Sequence, residues 1–315
     1  YQHFKNVLNK ICVSYKGEKC VNHFGEGGIG NYIKMVHNGI EYALMQLISE
    51  AYLILKVNYG LDNHEIANIF SDWNIGKLNS YLLEITVNIL RKKDTSSTHA
   101  PFLVDLIKDT VESKGTGHMT VIDALEKKVP INIIYSALEF RNISTVKGGC
   151  SKGTDFYQKK DPIKVLDSLE SSLYLCFLLT FYQGLNLITK HYTLQTNKSI
   201  NITQILKVWR NGCIIRCALI NDMIQFLEDD GTIDKLLSFI EQNNFYQTSL
   251  EDTLKANINL PLITTTSCNE FIKLIRTDVL YSGKLLQAMR DCFGGHMYER
   301  VDIDGKHHSS WLDKS

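Results

Sequence analysis

Apolar positions recur at helical spacing along most of the chain. From Gly30 the pattern is continuous: residues 31–57 contain no proline and a single glycine, Gly39, which predicts one long helix. The same periodicity predicts helices over 63–73, 77–91, 101–113, 120–127, 132–144, 162–190, 202–209, 212–228, 231–242, 249–256, 267–276 and 283–292. Asp62 with Glu65, and Ser267 with Glu270, have capping-box spacing ahead of apolar runs. Only four prolines (Pro101, Pro130, Pro162 and Pro261) interrupt the chain, which favours long helices. The most apolar stretch, Leu173 to Ile188, is broken by Thr180, Gln183 and Asn186. It falls short of the ~20 apolar residues that span a bilayer and predicts a buried core helix. Residues 147–161 read as an exposed loop, and the segment from about 298 to Trp311 as an extended tail that either frays or docks into a partner.

Two further patterns bear on organisation. Ile66, Ile69 and Trp73 recur as Ile202, Ile205 and Trp209, each displaced by 136, and Tyr42 answers to Tyr174, displaced by 132. A four-residue loop insertion reconciles the offsets and fits duplication of a long-helix unit. Before Gly25, the helical spacing of Phe4, Val7, Leu8 and Ile11 is followed by an extended piece around Cys20 to Phe24. A helix and then a strand ahead of a glycine cluster read as the tail of an α/β domain.

Composition narrows the partners. Thirty-four basic residues balance 34 acidic ones in 315, which argues against a nucleic-acid binder and against a polybasic membrane-surface protein. The eight cysteines, Cys12, Cys20, Cys150, Cys176, Cys213, Cys217, Cys268 and Cys292, include no CxxC pair, so neither a zinc site nor disulfides are expected and a cytoplasmic setting is.

The chemistry concentrates between residues 25 and 42. Gly25-Glu-Gly-Gly-Ile-Gly30 matches the dinucleotide pattern GxGxxG, and Glu50 lies 20 residues past Gly30. That fingerprint requires a second strand before the acidic residue, and 31–57 reads as unbroken helix, so the dinucleotide reading fails. In a longer frame, Gly25, Gly28, Gly30, Lys34 and Asn38 fit GxxGxGxxxKxxxN. Lys34, His37, Asn38 and Glu41 then stand at i, i+3, i+4 and i+7, on one helix face. A solvated polar stripe is the bland alternative. A Lys and a Glu about 10.5 Å apart along the axis could serve two ends of one small substrate. Lys114-Gly-Thr-Gly117, ahead of a helical run, groups an ammonium, a hydroxyl and free backbone N–H groups, which suits an anion. Arg290-Asp-Cys-Phe-Gly-Gly-His296 adds a guanidinium and an imidazole, and Trp209 to Arg216 reads mainly as packing.

These motifs together resemble one family. Gly25 to Asn38 is similar to the catalytic signature of the β-hydroxyacid dehydrogenases. Lys34-Met-Val-His-Asn-Gly-Ile-Glu-Tyr42, Lys114-Gly-Thr-Gly, Trp209-Arg-x-Gly-Cys-Ile-Ile-Arg216 and Arg290-Asp-x-Phe-Gly-x-His-x-Tyr-Glu299 resemble the 6-phosphogluconate dehydrogenase family in particular, in order along the chain. The resemblance implies a mainly α fold: residues 1–24 as the end of a Rossmann coenzyme domain, 25–278 as a large all-helical substrate and dimerisation domain with the internal duplication, and 279–315 as a helix and tail reaching the partner subunit. It implies NADP as coenzyme, 6-phosphogluconate as substrate, a homodimer with shared sites, and no metal. Lys34 is then the general base and Glu41 the general acid. His37, Asn38, Tyr42, Lys114, Thr116 and Arg141 bind substrate, Asn38 also approaches the nicotinamide, and Arg290 and His296 complete the opposite subunit's site.

The departures are His118 and Met119 where the family has Lys-Trp, Asn211 in place of a Gly, and Cys292 in place of a Tyr. The Rossmann glycine motif has no counterpart in these 315 residues, so the chain alone is expected to show little dehydrogenase activity. Another β-hydroxyacid dehydrogenase with a shorter substrate, or a non-catalytic helical dimerisation module, are the alternatives.

Overall fold

The computed structural model describes residues 3–96, 100–108, 110–112, 115–146, 161–228, 231–243, 245–275 and 281–311. Contacts divide the chain into two units, Tyr1–Asn269 and Glu270–Ser315.

The first unit opens with α1 (Lys5–Ile11) and a hairpin of β1 (Ser14–Tyr15) and β2 (Glu18–Lys19), with Ser14 opposite Lys19. The extended piece expected at 20–24 is therefore displaced: the strand pairing falls earlier, where Gly17 at φ +86° makes the turn. The helices follow as α2 (Ile29–Leu53), α3 (Asn63–Trp73), α4 (Tyr81–Arg91), α5 (Thr116–Lys127), α6 (Asn132–Val146), α7 (Ile163–Thr196), α8 (Ile202–Gly212), α9 (Ala218–Leu227), α10 (Ile233–Gln242), α11 (Tyr246–Ala256) and α12 (Ile263–Ile275), the last crossing into the second unit. A π-turn carries α2 on to Asn58. The helix expected over 101–113 is not formed. Among the described residues only a 3-10 turn at Leu103–Leu106 appears there, and Lys93 pairs with Phe102 in an isolated bridge.

The core is built on α2 and α7, which pack against each other. Leu173 to Ile188, the most apolar stretch, lies inside α7. By length and composition α7 could span a membrane, but 83% of its apolar window is buried inside the protein. Burial of Leu175, Leu178, Leu179, Phe181 and Leu185 against α2's Val36, Ile40, Ala43 and Leu47 supplies the main apolar area.

The sequence echo is a physical repeat. α2 is followed by α3 and α4 as α7 is followed by α8 and α9, and Ile66, Trp73, Ile202, Ile205 and Trp209 are all buried. The starts of α4 and α9 meet in a bridge between Ser80 and Cys217. Tyr81 N–H donates to the Arg216 carbonyl (3.1 Å) and Ala218 N–H to the Asn79 carbonyl (2.7 Å), so positions 137 apart exchange equivalent hydrogen bonds.

Caps explain several boundaries. Asp62 and Glu65 form the expected capping box on α3. Ser267 and Glu270 do not form one, because α12 has already begun at Ile263. Its first turn is capped from another helix: Glu50, buried on α2, accepts from Thr264 N–H (2.9 Å), Thr265 N–H (2.9 Å) and the Thr265 hydroxyl (2.6 Å). Glu50 is thus a helix cap, and the GxGxxG spacing to it is coincidental.

In the second unit, α13 (Tyr281–Gly294) precedes a hairpin of β3 (Tyr298–Glu299) and β4 (Lys306–His307). The described part of the tail is clipped back onto α13: buried Asp291 accepts from His308 Nδ1 (2.6 Å), Ser309 N–H (3.0 Å) and Trp311 Nε1 (2.6 Å). It is a hairpin with a specific anchor rather than a featureless extended segment.

Candidate active site

The glycine cluster shapes the entry to α2. Gly25, Gly27 and Gly28 take φ of +129°, +70° and +78°, conformations that side chains strain, and Gly28 is the N-cap. Helix then runs unbroken from Ile29 through Lys34, His37, Asn38 and Glu41, so the four polar residues share one face.

On that face the first three are mutually bonded. Lys34 Nζ donates to Asn38 Oδ1 at 2.8 Å and lies 3.1 Å from His37 Nδ1, and His37 Nδ1 lies 3.2 Å from Asn38 Oδ1. Lys34 is exposed while His37 is buried, its ring meeting the edge of Trp209 at 5.7 Å. Burial, reinforced by the Lys34 charge, lowers the His37 imidazole to about 4, so it is neutral at pH 7. Burial pushes the half-buried Glu41 carboxyl upward, while Lys34 and Arg141 pull it back. The stripe therefore juxtaposes an exposed ammonium, a neutral imidazole and a carboxyl biased toward its protonated form. A cavity of about 490 Å³ touches it only at Glu41; its walls (Met45, Ile48, Tyr52, Leu82, Ile85) are apolar and do not suit a sugar acid.

The other predicted residues gather near Tyr42, one residue past the stripe and buried. The Arg141 guanidinium, brought by α6, stacks 3.6 Å above the Tyr42 ring, and its Nη1 donates to the Glu112 carbonyl (3.0 Å). Thr116 opens α5 behind Gly115, which sits at φ +91°. Gly117 abuts the Tyr42 ring so closely that a β-carbon there would come within 2.7 Å of it. Lys114 lies outside the described residues. Arg290 and His296 belong to the second unit, where Arg290 Nη1 donates to Gln287 Oε1 (3.0 Å) and Gln287 Nε2 to the His296 carbonyl (2.8 Å).

Sequence reasoning missed the Glu112 carbonyl and Thr120, whose hydroxyl donates to the Met35 carbonyl (3.0 Å) and pins α5 to α2. Neither carries a local signal, since both act through pairing of segments distant in sequence. Among the described residues no group of three or more His, Cys, Asp or Glu could hold a metal ion.

A family model described as 6-phosphogluconate dehydrogenase, C-terminal domain, matches residues 30–311. The chain is 36% identical over 326 residues to the decarboxylating 6-phosphogluconate dehydrogenase of Buchnera aphidicola subsp. Baizongia pistaciae, covering 99% of this chain and 68% of that protein. It is 35% identical over 325 residues to the Escherichia coli K12 enzyme of the same description, with 99% and 68% covered. A solved structure of Plasmodium falciparum 6-phosphogluconate dehydrogenase, studied in its apo form and with its cofactor NADP+ and its substrate 6-phosphogluconate, matches with a TM-score of 0.91 at 34% identity, covering 99% of this chain and 68% of that one.

Proposed function

The chain belongs to the 6-phosphogluconate dehydrogenase family, and from that premise we propose that its Lys34–Glu41 face carries out the oxidative decarboxylation of 6-phosphogluconate to ribulose 5-phosphate and carbon dioxide. The observation that carries the reading is the bonded set of Lys34, His37 and Asn38 with Glu41 one turn on, each at the position the family signature gives it.

Lys34 Nζ, acting as the neutral amine with its lone pair free, takes the proton of the 3-hydroxyl as the hydride leaves C3 and becomes the ammonium. The product of that step is a β-keto acid, whose C1–C2 bond breaks with loss of carbon dioxide and leaves the electron pair as an enediol. Glu41, biased toward its protonated form by burial, delivers a proton to the enediol carbon. Burial lowers the proton affinity of the His37 ring, so it orients the substrate hydroxyl without competing for the proton, and Asn38 Oδ1 holds Lys34 Nζ in place by accepting its hydrogen bond. Arg141 and Tyr42, with Thr116 and Lys114, form the phosphate end.

NADP, when bound, supplies the hydride acceptor. The described residues do not make a dinucleotide crevice: their strands form only two-stranded antiparallel pairs, with no parallel βαβ unit. What they offer the coenzyme is the Asn38 face, which suits its nicotinamide end. The 315-residue chain by itself is accordingly expected to turn over little or not at all. Arg290 and His296 complete the opposite subunit's site in a homodimer.

The test is reduced-nicotinamide formation from 6-phosphogluconate and NADP by the full-length protein and by Lys34→Ala. Loss of at least about a thousandfold in the variant is expected for removal of the base. Near-normal turnover would sink the assignment, and no turnover by the unaltered full-length protein would favour a non-catalytic helical module.

A further inference from the structure

Four side chains outside the stripe join three helices: Tyr32 on α2, Asp123 and Lys127 on α5, and His191 on α7. The Tyr32 hydroxyl donates to Asp123 Oδ2, and Lys127 Nζ donates to Asp123 Oδ1 from one turn further along α5. The Tyr32 ring is stacked on His191, centroids 3.5 Å apart and planes 14° from parallel, with Lys127 Nζ 5.8 Å from the ring centre. The ring is thereby held between α5 and α7 with its hydroxyl aimed at the carboxylate.

The contacts between α2 and α5 run in opposite senses along the two helices. Tyr32 meets Asp123, Met35 and Gly39 meet Thr120, and Tyr42 meets Gly117. The middle of this seam is close-packed: a β-carbon on Gly39 would lie 2.9 Å from Thr120 Cγ2. Close packing sets the approach of the two helices, and the Thr120 hydroxyl on the Met35 carbonyl pins the middle of the seam. A hydrogen bond to a carboxylate resists sliding, because it is directional and stronger than a neutral one. The clasp at Tyr32 therefore adds a charge-assisted anchor that holds the axial register of α5 on α2 at this end of the seam. That register sets how far the start of α5, with Gly115 and Thr116, stands from Lys34 and Glu41. A substrate gripped at its phosphate and reacting at its other end depends on that span, since small misplacements of reacting groups are costly.

Resting on the functional reading above, we propose that Asp123 and Tyr32 are positioning residues that set the distance between the phosphate-binding end and the reacting end of the site, and so select a phosphorylated sugar acid of this length.

The experiment is steady-state kinetics of Tyr32→Phe, Asp123→Asn and the double variant in the full-length protein, with melting temperatures alongside. The expected result is a KM for 6-phosphogluconate raised roughly tenfold, the scale of one charge-assisted hydrogen bond, with kcat within about threefold and the coenzyme KM unchanged. The double variant should be no worse than the worse single one, because the two act as one unit. Inhibition by gluconate, which lacks the phosphate, should weaken much less. A fall in melting temperature with KM unchanged overturns the proposal, as does an equal loss for gluconate. Should Asp123→Asn fail to fold, Tyr32→Phe, which keeps the ring and its stack, carries the test. Absence of turnover by the unaltered protein would instead overturn the functional reading. Calorimetric binding of 6-phosphogluconate to unaltered and variant protein then still decides the clasp: equal affinities reject it and a roughly tenfold difference upholds it.

Discussion

His37 shows how one buried ring can tie the site to stability. Its imidazole stands at about 4, against 6.5 for the free group, first because it is buried and then because Lys34 lies beside it. A folded-state value below the unfolded one means that the folded protein binds the proton less readily. The contribution of the neutral ring is therefore fully present above pH 6.5 and is lost as the pH falls toward 4. The gap corresponds to about 3 kcal/mol. Urea unfolding at pH 7 and pH 4 should show a loss on that scale, with a clearly smaller loss in His37→Asn; parallel losses would show that the ring contributes nothing. At the same scale, Glu41→Gln should remove the proton donor and cost about a hundredfold or more in kcat while leaving KM close to normal. A matching rise in KM would mark Glu41 as a binding group instead.

At the scale of elements, two contacts decide how helices are placed. Glu50 caps α12 from α2, and its carboxyl is shifted upward by burial while four hydrogen bonds draw it back. Glu50→Ala leaves two helix N–H groups without an acceptor and should destabilise the fold by about 2–4 kcal/mol, read as a lower urea midpoint. A change below about 0.5 kcal/mol would show that water replaces the cap. Gly117→Ala forces a methyl against the Tyr42 ring, whereas Gly184→Ala forces one against Ile40 and Val36 in the buried contact of α7 with α2. The first should raise the KM for 6-phosphogluconate several-fold more than the second. The α2 stripe was legible in the residues because helical spacing alone puts Lys34, His37, Asn38 and Glu41 on one face. That 101–113 would not form a helix was not legible: Leu103, Leu106 and Ile107 have helical spacing but stay exposed, so no buried face holds a helix together there. The cap on α12 was equally hidden, since its donors and its acceptor lie 214 and 215 positions apart.

At the scale of the molecule, the repeat of long helix and two shorter helices brings the Lys34 stripe of α2 beside Trp209 of α8, so the second repeat buttresses the chemistry of the first. If Arg290 and His296 of one subunit complete the other's site, Lys34→Ala and Arg290→Ala proteins are each inactive but complementary. Mixed and allowed to exchange subunits, they should recover about a quarter of normal activity, since half the dimers are mixed and each of those has one intact site. No recovery, with exchange verified by mass, would mean that each site is built within one subunit.

The residues by themselves determined the helical class, most helix boundaries, the polar face of α2 and the family, because these depend on spacing within one turn or on short motifs. The tertiary structure decided which of those residues meet: that His37 is neutral, that Arg141 lies on Tyr42, that Glu50 caps α12, and that Tyr32 is clasped by Asp123. Each of these is set by burial or by contact between segments far apart in the chain, and neither burial nor long-range contact has a period that a sequence can display.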